Sequence, residues 1–240
     1  MRIGNNHWLK ATPIAHRGLW NENVIENSLP AYQKAINHNY AIEIDLYLSL
    51  DGEIFCFHDK TLKRMTGEKG VIFEKTATQL RKLRLLNSSH TIPTFDEVLR
   101  LVDGKVPLLI EIKNQPDKSI VNKTVQKLKH YKGEFAIQSF NPLYIKKVKK
   151  LAPEFIRGIL GTNEKEPSES AFTNFIISKM PLNFLIKPDF ISYNHSGLPL
   201  KESKIKNKLV IAWTVTEQAL ANRAYKFADN IIFENFIPEK

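Results

Sequence analysis

Carboxylates interrupt two of the most apolar segments of this 240-residue chain. Glu43 and Asp45 lie in AIEIDLYLS (41–49), and Glu111 lies in VPLLIEIK (106–113). Residues two apart on a strand point to the same face, so Glu43 and Asp45 share one side of their segment. Three carboxylates that point inward from neighbouring strands cannot all stay unpaired in a core. The pattern therefore predicts a site for a divalent cation that prefers oxygen ligands, either Mg²⁺ or Ca²⁺.

Lys113 is the alternative partner of these carboxylates, because it lies two residues after Glu111 and on the same face. A single ammonium group is expected to neutralise only one carboxylate, which favours the cation site over a structural ion-pair cluster. Other chemistries lack their motifs in the sequence: there are no Cys or His ligands at zinc spacing, no Gly-rich phosphate loop and no Gly-x-Ser-x-Gly elbow.

Two histidines stand at the ends of apolar runs. His16 and Arg17 follow the first run, and His58 closes the run IFCF. If that second run folds back as a hairpin, His58 comes to lie opposite His16. Two histidines that flank an oxyanion can act as general acid and general base, which contributes typically about 10²–10⁴-fold to a rate. Arg17 can hold phosphate oxygens with its planar fork of N–H donors.

The elements that must position these residues alternate along the chain. Strand-like runs occur at 12–16, 41–49, 106–113, 135–140, 155–160, 189–194, 208–216 and 230–235. Helical patterns occur at 28–39, 94–103, 118–131, 142–151, about 168–180 and 217–227, with Ser28, Thr94 and Thr216 as expected N-caps. Eight strands with helices or crossovers between them predict an α/β protein with a (β/α)₈ TIM barrel, whose catalytic groups lie at the C-terminal ends of strands. A doubly wound open sheet is the alternative.

The length of the chain suits one barrel domain over residues 1–240, because no linker or composition shift divides it. A long segment at about 51–105, after the second strand, is expected to form a small inserted subdomain. It opens with DGEIFCFHD, which reads as a hairpin return, and continues as a polar, turn-rich stretch.

The composition limits which binding partners and which cellular location are expected. The net charge of +10 favours anionic partners, but the densest basic group, YIKKVKKLA (144–152), fits a helix with its lysines on the solvent face. We therefore expect no nucleic-acid partner. The N-terminus lacks a secretory apolar region and no run reaches about 18 apolar residues, so a cytoplasmic protein is expected. The single cysteine, Cys56, excludes an internal disulfide and reads as a small buried residue.

A family resemblance joins these features. The motifs HRG, ENSLPAYQKAI, EIDLYLSLDGEIFCFHD, IPTFDEVL, LLIEIK, QSFNP and AWTVT follow one another from about residue 12 to 236. In that order and spacing the chain resembles the glycerophosphodiester phosphodiesterases, a TIM-barrel family with a small subdomain inserted after the second strand. The resemblance implies hydrolysis of a small glycerophosphodiester to sn-glycerol 3-phosphate and an alcohol.

The resemblance also implies individual roles. The residues implied to bind the divalent metal are Glu43, Asp45 and Glu111. The residues implied to act on the substrate are the acid–base pair His16 and His58, the phosphate ligands Arg17 and Lys113, the supporting residues Glu26 and Asn27, and Trp213 on the glycerol side. We favour His58 as the base and His16 as the acid.

The resemblance is less complete at two positions, one on the seventh and one on the eighth predicted strand. Trp213 equally suits a core position in the seventh predicted strand. The chain departs from the family's usual ending at NIIFENFIP, where Glu234 stands at a position that is commonly aspartate.

Two other functions fit parts of the sequence. The apolar segment 170–190 is expected mainly to form the fifth helix and the run into the sixth strand, without membrane contact. As a lipid-contacting surface it would instead suit a lysophospholipase D or sphingomyelinase D-like activity on lipid phosphodiesters. A barrel that binds anionic ligands without catalysis is the other alternative. The complete set of three carboxylates and two histidines favours an enzyme over such a binding protein.

Overall fold

The computed structural model describes residues 3–165 and 170–239. Its strands are β1 (Ile14–Ala15), β2 (Ala41–Leu48), β3 (Ile54–Cys56), β4 (Leu108–Ile112), β5 (Phe135–Ser139), β6 (Arg157–Gly161), β7 (Phe190–Asn194), β8 (Leu209–Val215) and β9 (Asn230–Phe233). Its α-helices are α1 (Trp8–Ala11), α2 (Leu29–Asn37), α3 (Lys63–Thr66), α4 (Ala77–Leu80), α5 (Phe95–Val102), α6 (Ser119–Leu128), α7 (Pro142–Leu151), α8 (Ala171–Lys179), α9 (Asn183–Ile186), α10 (Glu202–Ile205) and α11 (Gln218–Ala224).

The strands belong to one sheet, in the order β1-β9-β8-β7-β6-β5-β4-β2-β3, with a further pairing between β1 and β2. β2 and β4 pair in parallel, as do successive strands from β5 to β9. β3 instead runs antiparallel to β2. This is the (β/α)₈ TIM barrel that the sequence predicts, with β3 as an added hairpin strand, so the open-sheet alternative is wrong.

The predicted N-caps of α2 and α5 are confirmed. The Ser28 hydroxyl accepts a hydrogen bond from the Ala31 N–H at the start of α2, and Thr94 forms a capping box with Glu97 at the start of α5. The prediction of Thr216 as an N-cap is wrong. Because Glu217 keeps an extended backbone (φ −157°, ψ 161°), Glu217 is the N-cap and α11 begins one residue later than predicted. The predicted helix at about 168–180 is α8, and residues 168 and 169 lie outside the described residues.

The contacts of the described residues group into two compact units, residues 15–135 and residues 1–14 with 136–240. In the unit of residues 15–135, every residue of β2 and β4 is buried, as expected of parallel strands covered on both faces. Tyr47 of β2 and residues of the segment after β2 form a small apolar cluster: Tyr47, Phe55, Phe57, Leu62, Met65, Ile72, Leu80, Leu85 and Ile92. The single domain over 1–240 with an inserted subdomain at about 51–105 stays a prediction.

In the unit of residues 1–14 and 136–240, a buried amide ties α1 to the last strand. Asn230 Nδ2 donates to the carbonyl oxygens of Leu9 and Thr12 at 3.0 and 2.7 Å. α8 differs from the other long helices in that none of its residues is buried. None of the helices described in the two resolved ranges is long and apolar enough to cross a membrane. The expected cytoplasmic location stays a prediction.

Candidate active site

Three buried carboxylates meet on β2 and β4. The parallel register makes Asp45 and Glu111 direct partners, and Glu43 lies two residues before Asp45 on the same face. One oxygen from each of the three side chains lies within 4.8 Å of the others. The residues are between 0% and 7% exposed. The structure thus assembles the group that the spacing of these residues predicts.

The electrostatics of this group fit a hard divalent cation. Burial, reinforced by the charges of Asp45 and Glu111, raises the pKa of Glu43 well above its usual value. Burial likewise raises the pKa of Glu111. For Asp45 the effect of burial is outweighed by the charges of Lys113, His58 and Arg17, which hold its pKa well below the usual range. Oxygen donors that are destabilised as anions in this way are suited to bind Mg²⁺ or Ca²⁺.

Lys113 contacts two of these carboxylates rather than the one expected from the sequence. Its Nζ lies 2.9 Å from Asp45 Oδ1 and 2.9 Å from Glu111 Oε1. The strand register explains this, because it sets Asp45 beside Glu111 while Lys113 follows on the same face of β4. Lys113 still supplies one positive charge for a group of three acids, so its pairing leaves a charge that a divalent cation can balance.

Arg17 lies against the same group from the end of β1. Its backbone N–H donates to Glu43 Oε2 at 3.1 Å, and its Nη1 donates to Glu26 Oε1 at 2.9 Å. Its Nε is 3.8 Å from Asp45 Oδ2 and is buried without a hydrogen-bond partner among the described residues. The guanidinium is therefore held in place while part of its donor capacity is unused.

A left-handed turn aims the Arg17 backbone at the carboxylates. Arg17 has φ +56° and Gly18 has φ +85°. A Cβ on Gly18 would lie 2.9 Å from both the backbone carbon and the Cβ of Ala31, a distance that real Cβ atoms essentially never show. Glycine at this position thus serves both the positive φ and the close approach of α2.

Asn27 and Glu26 contact other site residues through their side chains. Asn27 Nδ2 donates to Asp45 Oδ2 at 2.9 Å, and its Oδ1 accepts from the Tyr32 hydroxyl at 2.8 Å. Glu26 is shared between Arg17 and Arg64. Both residues are buried, so their contacts orient Asp45 and Arg17. Tyr32 was not predicted as part of the site, because its spacing on α2 is that of an ordinary core residue.

The two histidines face each other, as the hairpin interpretation predicts. The ring centroids of His16 and His58 are 6.5 Å apart and the ring planes are nearly perpendicular, at 80°. His58 Nδ1 lies 2.8 Å from Asp59 Oδ1. Burial, with a contribution from Lys113, lowers the pKa of His58 to about 4. A neutral His58 that donates from Nδ1 to Asp59 leaves Nε2 as the acceptor of the ring.

Arg64 completes the surroundings of His58 and was missed in the sequence. Its Nε and Nη2 donate to the two carboxylate oxygens of Asp59 at 2.6 and 2.8 Å. Its Nη1 and Nη2 donate to the two oxygens of Glu26 at 3.0 and 2.7 Å. Arg64 lies on α3, in the polar stretch that was interpreted as a turn-rich insertion. The one feature of the sequence that could have pointed to Arg64 is its position six residues after His58.

Trp213 lies in the other unit, on β8. Its ring is half-buried and packs edge-on against Phe140, with centroids 5.7 Å apart. Its indole N–H is buried without a hydrogen-bond partner among the described residues. Both the core interpretation of Trp213 and its role on the glycerol side stay predictions.

Comparison with known proteins identifies relatives over most of the chain. Residues 16–237 match the model of the glycerophosphoryl diester phosphodiesterase family. The chain is 30% identical over 243 residues to a glycerophosphodiester phosphodiesterase from Caldanaerobacter subterraneus subsp. tengcongensis, with 95% of each protein covered. It is 29% identical over 230 residues to a putative glycerophosphodiester phosphodiesterase, YhdW, from Bacillus subtilis, with 87% of each covered.

Solved structures show the same fold. An Oleispira antarctica phosphodiesterase in complex with the product sn-glycerol-3-phosphate superposes with a TM-score of 0.75 at 24% identity, over 93% of this chain and 92% of that one. A glycerophosphodiester phosphodiesterase from Parabacteroides distasonis superposes with a TM-score of 0.75 at 23% identity, over 92% of each chain.

Proposed function

Because the chain belongs to the glycerophosphodiester phosphodiesterase family, we propose that it hydrolyses small glycerophosphodiesters to sn-glycerol 3-phosphate and an alcohol, using a divalent metal and paired histidines. That it is a phosphodiesterase follows from the family and its relatives. The observation that carries the mechanism is the group of three buried carboxylates beside the facing rings of His16 and His58. The product bound by the Oleispira antarctica relative supports the substrate class.

The proposed metal ligands are Glu43, Asp45 and Glu111, and the proposed ion is Mg²⁺ or Ca²⁺, since both favour an all-oxygen donor set. When bound, such an ion supplies Lewis-acid stabilisation of negative charge on the phosphodiester. The donor chemistry supports this assignment, because the buried acids have fewer positive partners than negative charges.

Arg17 and Lys113 are proposed to hold the phosphate. Arg17 retains an unused donor, the buried Nε, and its planar group suits two phosphate oxygens at once. Lys113 acts as a point charge on the same face as the metal ligands. Glu26 and Asn27 are proposed to orient Arg17 and Asp45 through the hydrogen bonds described above.

His58 is proposed to act as the general base and His16 as the general acid. His58 is held through Nδ1 by Asp59, so its Nε2 can accept a proton from the nucleophile, which is either water or the neighbouring glycerol hydroxyl. As the phosphorus–oxygen bond to the leaving group breaks, His16 donates a proton to the departing alkoxide. If the glycerol hydroxyl attacks first, water later opens the cyclic phosphate with the two roles reversed.

The relatives do not favour the two alternative functions. They are named as glycerophosphodiester phosphodiesterases rather than as lysophospholipase D enzymes or binding proteins. The full set of acids and histidines also speaks for catalysis rather than passive binding.

The test is release of glycerol 3-phosphate from glycerophosphocholine, with and without a chelator. We expect release that the chelator abolishes and that added Mg²⁺ or Ca²⁺ restores. Release that persists after complete metal removal would contradict the metal-dependent mechanism. Absence of release with every divalent ion tested would contradict the substrate assignment and reopen the alternatives.

A further inference from the structure

The guanidinium of Arg64 links the surroundings of His58, the proposed base, to those of Arg17, the proposed phosphate ligand. Arg64 makes paired hydrogen bonds to Asp59 on one side and to Glu26 on the other. Asp59 holds His58, and Glu26 holds Arg17. A chain of charge-assisted hydrogen bonds therefore runs from His58 to Arg17 through Arg64.

We propose that Arg64 is a positioning residue that keeps His58 and Arg17 in register for catalysis, an inference that rests on the proposed function. Paired N–H donors fix the plane and the direction of a carboxylate, which a lysine ammonium cannot do. Arg64 thereby fixes Asp59, and Asp59 fixes both the tautomer and the rotation of the His58 ring. The same residue limits the rotation of Glu26 and so of the Arg17 guanidinium. Arg64 comes from α3, which gives the segment after the hairpin a role in catalysis.

The pKa directions agree with this arrangement. The hydrogen bonds to Asp59 and Glu26 raise the pKa of Arg64 above its usual value. Although burial raises the pKa of Asp59, its bonds to His58 and Arg64 hold that pKa well below its usual value. Arg64 likewise helps to lower the pKa of Glu26, so both of its carboxylate partners are ionised at neutral pH.

The test compares Arg64→Ala and Arg64→Lys with a matched control, Arg81→Ala. Arg81 is also half-exposed and also pairs with an acid, Glu53, but it lies outside the site. We expect kcat to fall on the order of 10- to 100-fold in Arg64→Ala, with a smaller change in KM, and Lys to restore little. Added guanidinium ion should restore part of the Arg64→Ala activity, and Arg81→Ala should behave like the wild type.

The outcomes separate the two proposals. An inactive wild-type protein contradicts the proposed function and, with it, the positioning role that rests on it. An active wild type with Arg64→Ala as fast as Arg81→Ala overturns the positioning role. A loss of kcat that tracks a lowered unfolding temperature, with no rescue by guanidinium and full rescue by cooling, shows a structural role only and also overturns it.

A second inference comes independently from α8 and α9. α8 has no buried residue, and large apolar side chains are exposed on both helices: Phe172 at 73%, Phe175 at 51%, Phe184 at 76% and Leu185 at 38%. We call these four residues the α8–α9 face. Several large apolar side chains exposed on two consecutive helices mark a candidate interaction surface.

Basic residues border the α8–α9 face. Lys149 Nζ lies 3.4 Å from the Leu185 carbonyl oxygen, and Lys204 Nζ lies 3.4 Å from the Ser178 carbonyl oxygen. Residues 170–188 contain two further lysines and no Asp or Glu. Besides partial burial, the charges of Lys179, at the end of α8, and of Lys201 lower the pKa of Lys204.

We infer that the α8–α9 face docks on an anionic lipid surface. Exposed Phe and Leu side chains can insert at the level of the lipid headgroups while bordering lysines contact anionic headgroups. This inference concerns binding only and does not depend on the proposed reaction.

The test is cosedimentation with phosphatidylcholine vesicles that contain or lack phosphatidylglycerol. We expect salt-sensitive binding to the anionic vesicles, weakened on the order of tenfold or more by the double substitution Phe172→Ser and Phe184→Ser. Leu50→Ser is the matched control, because Leu50 is 66% exposed and lies in the other unit. Failure of the wild type to bind, or equal binding by the double variant, overturns the inference. A concentration-dependent dimer in sedimentation velocity that the double variant abolishes would instead assign the face to a second copy of this chain.

Discussion

The Nδ1 atom of His58 lies 2.8 Å from the Oδ1 atom of Asp59. This contact decides which nitrogen of the imidazole can accept a proton, because the ring nitrogen that donates to a carboxylate is the protonated one. His58 is half-buried, and the other ring nitrogen, Nε2, is then the one that can accept a proton. The sequence neighbours His58 and Asp59 thereby form the unit that we propose as the general base.

The activity should depend on pH in a way that reports His58. Burial and the charge of Lys113 lower the pKa of His58 to about 4, so the ring is neutral above that pH. A base must be unprotonated, and kcat/KM should therefore rise with pH through about 4 and stay high across the range where an ordinary histidine, near 6.5, would still be titrating. The measurement is the pH profile of kcat/KM at saturating metal. An acidic limb near 6.5 would contradict His58 as the base in this environment.

Removal of His16 should separate catalysis from metal binding. His16→Ala is expected to lower kcat on the order of 10²–10⁴-fold, because no other described side chain takes the place of its ring opposite His58. Metal affinity, measured by calorimetric titration, should stay close to that of the wild type. His130→Ala is the control, since His130 is exposed at the end of α6. Near-normal activity of His16→Ala would remove His16 from the mechanism.

Replacement of a metal ligand should change stability only when metal is present. Glu43→Gln removes a buried acid whose pKa is raised by burial and by its acidic neighbours, so the metal-free variant should be at least as stable as the metal-free wild type. Added metal at about 100 times its dissociation constant should stabilise the wild type by about 2.7 kcal/mol and the variant by much less. Thermal unfolding with and without metal measures both effects. An equal metal-induced shift in the two proteins would exclude Glu43 as a ligand.

The glycine after Arg17 should be sensitive to any side chain. Gly18→Ala is expected to cost about 1–3 kcal/mol of unfolding free energy and to lower activity, because the new Cβ meets the backbone of Ala31 and the turn that aims Arg17 is strained. Gly67→Ala is the matched control, with a positive φ of +71° but no atom within 4 Å of its Cβ. Urea denaturation of both variants should show the larger loss at Gly18. Equal losses would mean that only the positive φ matters.

Much of the site could be predicted because it depends on local rules. The alternation of side chains along a strand places Glu43 and Asp45 on one face wherever that strand lies. The burial of a central parallel strand then requires a partner for each acid, and this requirement predicts a metal site. The (β/α)₈ barrel can likewise be predicted from the sequence, since apolar runs and capped helical patterns alternate along the chain.

The remaining contacts depend on which segments meet in space, and this only the tertiary structure decided. Strand spacing places Lys113 on the correct face, but the register of β4 against β2 determines that its ammonium bridges Asp45 and Glu111. The pairing of Arg64 with Glu26 joins residues 38 positions apart in the chain. No periodicity within a segment encodes such a meeting, because it results from the packing of the segment after β3 against the turn after β1. The sequence by itself thus determined the fold and the acids of the site, whereas the packing of distant segments determined how the cations and His58 are held.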